Sequence, residues 1–217
     1  MAPIYDCSVE AELLTGMRLA RTAIGRGDLV VVPTDTVYGV AADAFNPKAV
    51  QKLIDAKGRT RQAPPPVLIP GIPTLDALAQ FVPDEVRTLV AKYWPGGLTV
   101  ILPARETLVW DLGETHGTVA LRMPSNRVVL ELLSETGPLA VSSANLTGQP
   151  AATSAAEAEA MLGDSVAVYL DDGPSSTVAS TIVDATALVR PDGKLRILRE
   201  GAIPSAELRE LLGDRCE

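Results

Sequence analysis

The amino-acid sequence predicts an α/β (α+β) protein with a twisted mixed β-sheet flanked by helices. Short runs of β-branched residues, such as Val30 to Val32, alternate with longer segments in which apolar residues recur at helical spacing. This alternation is typical of a sheet covered by helices. Because 217 residues suffice for one sizeable core, we expect residues 1–217 to form a single domain.

Helices are predicted where apolar residues at helical spacing lie between a capping residue and a terminator. The clearest begins after Asn46 as N-cap, has Pro47 at its first position and ends at Gly58. Further helices are predicted at residues 12–23, 75–79, 84–92, 126–136, 154–162 and 207–212.

Strands are predicted where short aliphatic runs lie between Gly, Pro, Asp or Ser residues. These runs are residues 29–32, 67–69, 98–102, 118–121, 139–141, 166–170 and 180–183. Residues 188–190 and 195–198 are predicted to form a hairpin around Pro191-Asp192-Gly193.

Charge and cysteine content narrow the class of protein. The formal net charge of −8 disfavours general coating of nucleic acid. Cys7 and Cys216 lack the spacing of a metal site or disulfide framework, which suits a reducing compartment. No secretory signal pattern and no apolar run of about 20 residues is present, so we expect a cytoplasmic protein without a membrane partner.

A hydroxyl-rich turn follows the first buried strand. Thr34, Thr36 and Tyr38 supply hydroxyls and Asp35 supplies a carboxylate. Open α/β sheets usually bind ligands where strands end, so we expect these residues to border a ligand site.

Three cations, Lys57, Arg59 and Arg61, follow the helix that comes next. They could simply complement the helix dipole and stay solvated. Alternatively, a Lys point charge and the planar Arg forks would bind phosphate or carboxylate. Their closeness in sequence to the hydroxyl-rich turn favours a pocket for a polyanion.

A second polar turn, Ser142-Ser143-Ala144-Asn145, also follows a strand. Such residues are often only a turn or a helix cap. Hydroxyl, amide and backbone N–H groups can also bind phosphate oxygens. If this loop and Lys57 bind the same polyanion, they must be neighbours, so we expect Lys57 to lie beside this loop.

Other polar residues at strand ends leave the same two interpretations open. Arg122, Ser180, Thr181 and Arg199 could each contact a ligand. Alternatively, the arginines are solvated or paired at the surface, and the two hydroxyl residues only favour a strand.

Familiar catalytic motifs are missing from the sequence. Neither a GxxxxGK[ST] loop nor a GxGxxG motif occurs, and the one histidine, His116, has no nucleophile elbow near it. We therefore expect no catalytic triad. Asp171 and Asp172 could bind a cation, although acidic pairs in loops are usually exposed.

The ordered motifs of this chain resemble those of the YrdC-like family. The motifs are PTDTVYGV, the KxR of Lys57 and Arg59, YWPGGLT, VALRMP, the SxN of Ser143 and Asn145 followed by LTGQPA, STIVD and ILREG. They extend over about residues 11–203 and match the short, single-domain type of the family. The resemblance implies a YrdC-like fold with a concave ligand-binding cleft.

Members of this family include threonylcarbamoyl-AMP synthases. The resemblance implies a nucleotidyltransferase that converts L-threonine, bicarbonate and ATP into threonylcarbamoyl-AMP and pyrophosphate. Mg²⁺ would arrive with ATP, and no protein-only metal site is expected. The product would pass to a threonylcarbamoyl-transferase complex that modifies tRNAs reading ANN codons, which allows a transient contact with tRNA.

The resemblance also implies roles for individual residues. It assigns catalysis to Lys57 and Arg59. Threonine would contact Thr34, Thr36, Arg122, Ser180 and the backbone at Val141. ATP or the developing pyrophosphate would contact Lys57, Arg59, Thr118, Ser143, Asn145 and Arg199. Two positions depart from the family pattern: Leu68 stands where many relatives have histidine, and Ala151 stands where a relative has serine.

Two alternatives stay open at this point. One is an RNA-binding module that uses a basic cleft without catalysis, which the acidic net charge and the few aromatics disfavour. The other is a related enzyme that forms a carbamoyl-adenylate of another substrate.

Overall fold

One ten-stranded mixed sheet runs through residues 2–217, the part of the chain that the computed structural model describes. Its strands in chain order are β1 (Ile4–Asp6), β2 (Val30–Val32), β3 (Gly39–Asp43), β4 (Val67–Leu68), β5 (Leu98–Pro103), β6 (Thr118–Arg122), β7 (Leu139–Ser143), β8 (Val168–Asp171), β9 (Thr181–Asp184) and β10 (Arg196–Arg199). Across the sheet the order is β1-β8-β2-β3-β7-β4-β6-β5-β9-β10.

Seven α-helices lie among the described residues. They are α1 (Glu10–Gly25), α2 (Pro47–Ala56), α3 (Ile72–Leu78), α4 (Asp84–Tyr93), α5 (Arg127–Thr136), α6 (Ala155–Leu162) and α7 (Ser205–Leu212). Asn46 caps α2 as predicted, because its side-chain oxygen accepts hydrogen bonds from the backbone N–H groups of Lys48 and Ala49. None of these helices is long and apolar enough to cross a lipid bilayer.

Helices cover both faces of the sheet, and β2 shows how. Val30 and Val32 pack into a cluster that contains residues of α1 and α5, whereas Val31 packs with residues of α2 and α6. Alternating side chains of a strand point to opposite faces, so a fully apolar strand must be covered on both. The prediction of a twisted mixed sheet flanked by helices is therefore confirmed.

Two strands were not predicted from the sequence. β1 pairs in parallel with β8, and β3 pairs antiparallel with both β2 and β7. The β3 sequence, GVAAD, has low β-propensity. It becomes a central strand because two neighbours supply its hydrogen bonds, which is an influence of tertiary context.

The predicted hairpin of residues 188–190 and 195–198 is wrong in its first strand. Residues Thr186–Val189 form a 3₁₀ turn, and β10 pairs antiparallel with β9 instead. The side chain of Asp184 starts this turn, because its Oδ1 accepts from the backbone N–H of Thr186 at 2.9 Å. Leu188 is then buried in the core.

Candidate active site

A cavity of about 340 Å³ lies over the central strands of the sheet. The strand register explains its floor: Leu68 lies opposite Arg122, and Ile182 lies opposite both Thr99 and Arg199. Residues that pair directly across strands point to the same face, so these five side chains form a row on one face of the sheet. The site is therefore a concave face of the sheet, and the residues at the strand ends border it as expected.

A chain of hydrogen bonds fixes the turn after β2. The Oγ1 of Thr34 donates to the carbonyl of Val37 at 2.6 Å and accepts from the backbone N–H of Thr36 at 3.1 Å. Because the one proton of the Thr34 hydroxyl is used, the Thr36 hydroxyl donates to Thr34 across 3.1 Å. Both threonines are buried at the edge of the cavity. Their hydroxyls are thus held in fixed positions.

Arg122 is the buried cation of this site. Its Nη1 donates to Thr36 Oγ1 at 2.8 Å and its Nε donates to the carbonyl of Gly96 at 2.9 Å. Its Nη2 forms an ion pair with Asp35 at 2.8 Å, but the geometry is not that of a hydrogen bond, so no described residue accepts from this buried nitrogen. Burial lowers the pKa of Arg122 and the Asp35 carboxylate opposes that shift. A guanidinium with an unused donor at a cavity wall fits a carboxylate ligand.

Lys57 joins the end of α2 to the loop after β7. Its ammonium donates to the carbonyl of Ser143, to the carbonyl of Asn145 at 2.6 Å and to Asn145 Oδ1 at 3.4 Å. Only 1% of this lysine is exposed. Burial, and to a lesser degree the nearby Arg59, lowers the pKa of Lys57 to about 8. Three oxygen acceptors match the three ammonium donors, so the lysine is held as a cation behind the cavity wall.

Asn145 completes this loop from the other side. Its Nδ2 donates to the carbonyls of Leu146 and Gln149, each at 2.8 Å. The backbone N–H of Thr147 donates in turn to the carbonyl of Lys57 at 3.0 Å. Loop and lysine therefore form one unit that presents Ser143, Asn145 and Gln149 to the cavity.

Two further arginines border the cavity. No described residue accepts a hydrogen bond from the guanidinium of half-buried Arg59 or forms an ion pair with it. Arg199 donates to the carbonyl of Ser180 at 2.7 Å and lies 3.2 Å from its Oγ. Burial, then Arg122, then Arg59 lowers the pKa of Arg199. A concentration of positive charge thus lies inside a chain whose formal net charge is −8.

The structure brings nine of the predicted site residues into the cavity wall: Thr34, Thr36, Arg59, Arg122, Val141, Ser143, Asn145, Ser180 and Arg199. The N–H of Val141 donates to the carbonyl of Pro66 at 2.8 Å, so this N–H is not available to a ligand. Thr118 lies instead in an adjoining cavity of about 240 Å³, which shares Ile182 and Arg199 with the first.

Arg61 does not join the predicted cationic pocket. It forms an ion pair with Asp111 and is absent from the walls of both cavities. The expectation that all three cations surround one ligand is therefore wrong for Arg61. Its guanidinium pairs with the carboxylate of Asp111, which is 50 residues further along the chain.

Thr99 and Gln149 belong to the cavity wall but were not predicted. Thr99 Oγ1 lies 2.9 Å from Ser180 Oγ. A signal for Thr99 was present, since it is the one polar residue in the strand sequence LTVIL. Both departures from the family pattern, Leu68 and Ala151, also line the cavity.

The acidic pair Asp171 and Asp172 has other partners. Asp171 Oδ1 lies 2.9 Å from the hydroxyl of Tyr38, and Asp172 Oδ2 accepts from Asn126 Nδ2 at 2.7 Å. Within residues 2–217 no group of three His, Cys, Asp or Glu residues could hold a metal ion. The cavity wall has hydroxyl and amide oxygens but no carboxylate, so it fits Mg²⁺ only as a companion of a ligand's phosphates.

Sequence comparisons show which proteins this chain is similar to. The family model for Sua5, YciO and YrdC, described as telomere recombination, matches residues 22–201. A Mycobacterium tuberculosis protein with the provisional name threonylcarbamoyl-AMP synthase is 46% identical over 214 residues, which are 98% of this chain and 96% of that protein. The threonylcarbamoyl-AMP synthase of Bacillus subtilis is 37% identical over 91% of this chain and 59% of that protein.

A solved structure shows the same fold. Pyrococcus abyssi Sua5, crystallised in complex with L-threonine, superposes with a TM-score of 0.86 at 32% identity. The match covers 100% of this chain and 62% of the Sua5 chain. This chain therefore spans less than two thirds of the B. subtilis and P. abyssi proteins.

Proposed function

Because this chain belongs to the Sua5/YciO/YrdC family, we propose that it catalyses the synthesis of threonylcarbamoyl-AMP from L-threonine, bicarbonate and ATP, with release of pyrophosphate. One observation carries the proposal: Arg59, Arg122 and Arg199 surround a hydroxyl-lined cavity, and neither the Arg59 guanidinium nor Arg122 Nη2 has a hydrogen-bond acceptor among the described residues. A small carboxylate beside a polyphosphate would supply the matching negative charge.

In this proposal the threonine carboxylate binds at Arg122. The Nη2 of Arg122, which is ion-paired with Asp35 but has no hydrogen-bond acceptor among the described residues, and the hydroxyl of Thr36 lie at one wall of the cavity, and Thr34 keeps Thr36 in position. Val141 and Leu68 supply apolar surface in the same wall for the threonine side chain. The cavity volume of about 340 Å³ suits a small molecule.

The reaction requires two bond-forming steps. Threonine first loses one proton from its ammonium group. The free amine then attacks bicarbonate carbon, a C–N bond forms and one water leaves, which yields a carbamate anion. A carbamate oxygen then attacks the α-phosphorus of ATP, the bond from the α-phosphorus to the bridging oxygen breaks, and pyrophosphate leaves. Such transfers depend on positioning and charge neutralisation, and they need no covalent enzyme intermediate.

The phosphates are placed between Arg59, Arg199 and the loop of Ser143. Arg59 is the residue for direct contact because its guanidinium is unpaired. Lys57 acts one layer behind: its three donors are bound to Ser143 and Asn145, so it positions their loop and adds positive charge. The nucleoside is placed toward the adjoining cavity that contains Thr118. Mg²⁺ would bind the phosphate oxygens and offset part of their charge.

The proposal extends to the use of the product. Threonylcarbamoyl-AMP is an activated carbamoyl donor that a transferase would use in modifying tRNAs that read ANN codons in the cytoplasm. We also propose that residues 1–217 form one domain, and the single sheet that connects all described strands supports this.

Mass spectrometry with labelled bicarbonate tests the proposal. Protein incubated with ATP, L-threonine and ¹³C-bicarbonate should yield threonylcarbamoyl-AMP one mass unit heavier than with unlabelled bicarbonate, together with pyrophosphate. Omission of any one substrate should abolish the product. If serine or another amine replaces threonine without loss of rate, the substrate assignment is wrong.

The RNA-binding alternative predicts a different result. A binder without catalysis would release no threonine-dependent pyrophosphate and would hold tRNA with an affinity that falls steeply as salt rises. Among the described residues, Tyr38 is the one aromatic in the walls of the two cavities, and its hydroxyl is hydrogen-bonded to the loop at Asp172. Unpaired bases would therefore find little surface for stacking.

A further inference from the structure

A long loop contacts the segment that carries Arg59. This strap loop, residues 104–117, connects β5 to β6. Within it, Asp111 forms an ion pair with Arg61, which lies two residues after Arg59. Arg61 also donates from Nη1 to Gln51 Oε1 of α2 at 2.9 Å. One arginine therefore connects the strap loop, the segment after α2 and the helix.

Backbone contacts reinforce this connection. The N–H of Glu114 donates to the carbonyl of Arg61 at 2.8 Å, and the N–H of Gly113 donates to Asp111 Oδ1 at 3.1 Å. Gly113 has a φ of +104°, and a Cβ added there would lie 2.7 Å from the Arg61 carbonyl. Only glycine permits this conformation and this approach. The strap loop is thus built to lie against the main chain at Arg61.

An aromatic pair lies directly beside this ion pair. Trp110 stacks on Phe45, with ring centroids 5.4 Å apart and an interplanar angle of 25°. Phe45 lies just before α2 and Trp110 just before Asp111, so two neighbouring residues of the strap loop make the aromatic contact and the ion pair with Arg61.

Both segments that are joined in this way contribute to the wall of the adjoining cavity. Pro64 and Pro65 come from the segment after α2, and Leu112 and Thr115 come from the strap loop. The same connection fixes the path of the chain next to Arg59.

From this geometry we propose that Asp111 and Arg61 are positioning residues, which hold Arg59 and the wall of the adjoining cavity in place for the nucleotide. The inference rests on the proposed function, because it concerns ATP binding in the same site. Neither residue lines the main cavity, so neither is expected to contact threonine.

The expected effect is selective for one substrate. Loss of the pair should raise the KM for ATP about tenfold, since a small misplacement of a binding group is costly, and leave the KM for threonine within about twofold. The side chains of Arg61 and Asp111 are 41% and 45% exposed. A purely structural surface pair of this exposure contributes little and would change neither constant.

Steady-state kinetics of Arg61→Ala, Asp111→Asn and the double variant test this inference. Asp111→Asn keeps an acceptor for Gly113 but loses the charge that pairs with Arg61. Asp76→Asn is the matched control, because Asp76 pairs with Arg87 at similar exposure outside both cavity walls. Each single variant and the double variant should raise the KM for ATP alike, since both residues act through one contact. Arg61→Lys should recover part of the loss.

Calorimetric titration with ATP separates this inference from the proposed function. Weakened ATP binding in Asp111→Asn, with Asp76→Asn like the wild type, would support the inference whether or not the protein forms threonylcarbamoyl-AMP. Unchanged ATP binding and an unchanged KM for ATP in Arg61→Ala and Asp111→Asn would overturn it, as would an equal rise in the KM for threonine. Absence of the adenylate product in the wild type would instead refute the proposed function.

Discussion

The ammonium of Lys57 donates to the backbone carbonyl of Asn145 across 2.6 Å, although the two residues are 88 positions apart in the chain. This contact joins the KxR and SxN motifs into one wall of the site. The lysine is buried and bound to neutral oxygens, so its role combines structure with electrostatics.

Replacement of Lys57 by alanine should impair both stability and activity. The variant removes a buried aliphatic stem and three hydrogen-bond donors, and we expect a loss of about 2–3 kcal/mol in the free energy of unfolding. The Ser143–Asn145 loop would lose its fixed position, so adenylate formation should fall by about 100-fold or more. Urea denaturation and pyrophosphate release measure the two effects.

Lys52→Ala is the control for this variant. Lys52 is on α2 as well, but its side chain is 52% exposed and pairs with Asp28 at the surface. It should leave both quantities nearly unchanged. Normal stability and turnover in Lys57→Ala would contradict the role assigned to this lysine.

The rate should fall as pH rises through about 8, because the pKa of Lys57 is lowered to about 8, mainly by burial. Deprotonation removes one donor from the Ser143–Asn145 loop. The unfolded chain keeps its proton to a higher pH, so between about 8 and 10.5 it binds more protons than the folded chain. The contribution of Lys57 to stability therefore rises with pH in this window while activity falls.

A pH–rate profile at saturating substrates, combined with denaturation at each pH, tests whether activity falls while the contribution of Lys57 to stability rises. Lys57→Arg should retain its charge, so any residual activity of that variant should not decline near pH 8. A wild-type rate that stays flat from pH 7 to pH 9.5 would show that the proton on Lys57 is not required.

Arg59→Ala should reduce activity without reducing stability. No described residue pairs with the Arg59 guanidinium, so we expect a change of less than about 0.5 kcal/mol in the free energy of unfolding. Loss of a phosphate contact should lower kcat/KM for ATP by about 100-fold. Arg196→Ala, which removes an exposed arginine paired with Asp184, should leave kinetics unchanged. A stability loss in Arg59→Ala with normal kinetics would indicate a structural role.

Thr36→Val should weaken threonine binding selectively. Valine has nearly the same shape as threonine but gives Arg122 Nη1 no acceptor, so the guanidinium loses its fixed orientation. We expect about a tenfold rise in the KM for threonine with little change in the KM for ATP. Thr88→Val, at an exposed position of α4, is the control. A larger rise in the KM for ATP than in the KM for threonine would show that this wall binds ATP and not threonine.

Gly39→Ala should disturb the cavity wall at Val141. A Cβ at position 39 would lie 2.5 Å from Cγ1 of Val141, so the valine must move toward the cavity or β3 must shift. We expect weaker threonine binding and a loss of about 1–3 kcal/mol in stability, as is usual for overpacking. Gly25→Ala is the control, since nothing lies within 4 Å of the added atom. Unchanged threonine affinity would show that this contact does not shape the pocket.

Prediction from sequence succeeded for elements with strong local signals. The Asn46 cap, Pro47 and the apolar spacing of α2 defined that helix, and the aliphatic runs defined β2 and β5. It failed for β3, whose alanines become a strand only between β2 and β7, and for Arg61, whose partner Asp111 is 50 residues away. These outcomes depend on contacts between distant parts of the chain.

Composition and local pattern sufficed for the fold class, most element positions and the motifs that indicate anion chemistry, because caps, periodicity and strand propensity act over a few residues. The concave site required the complete sheet. Strand register aligns Leu68 with Arg122 and Ile182 with Arg199, and long-range contacts bury Lys57 but leave Arg59 unpaired. A shift of one residue in register would turn those side chains to the opposite face, and no local signal specifies that choice.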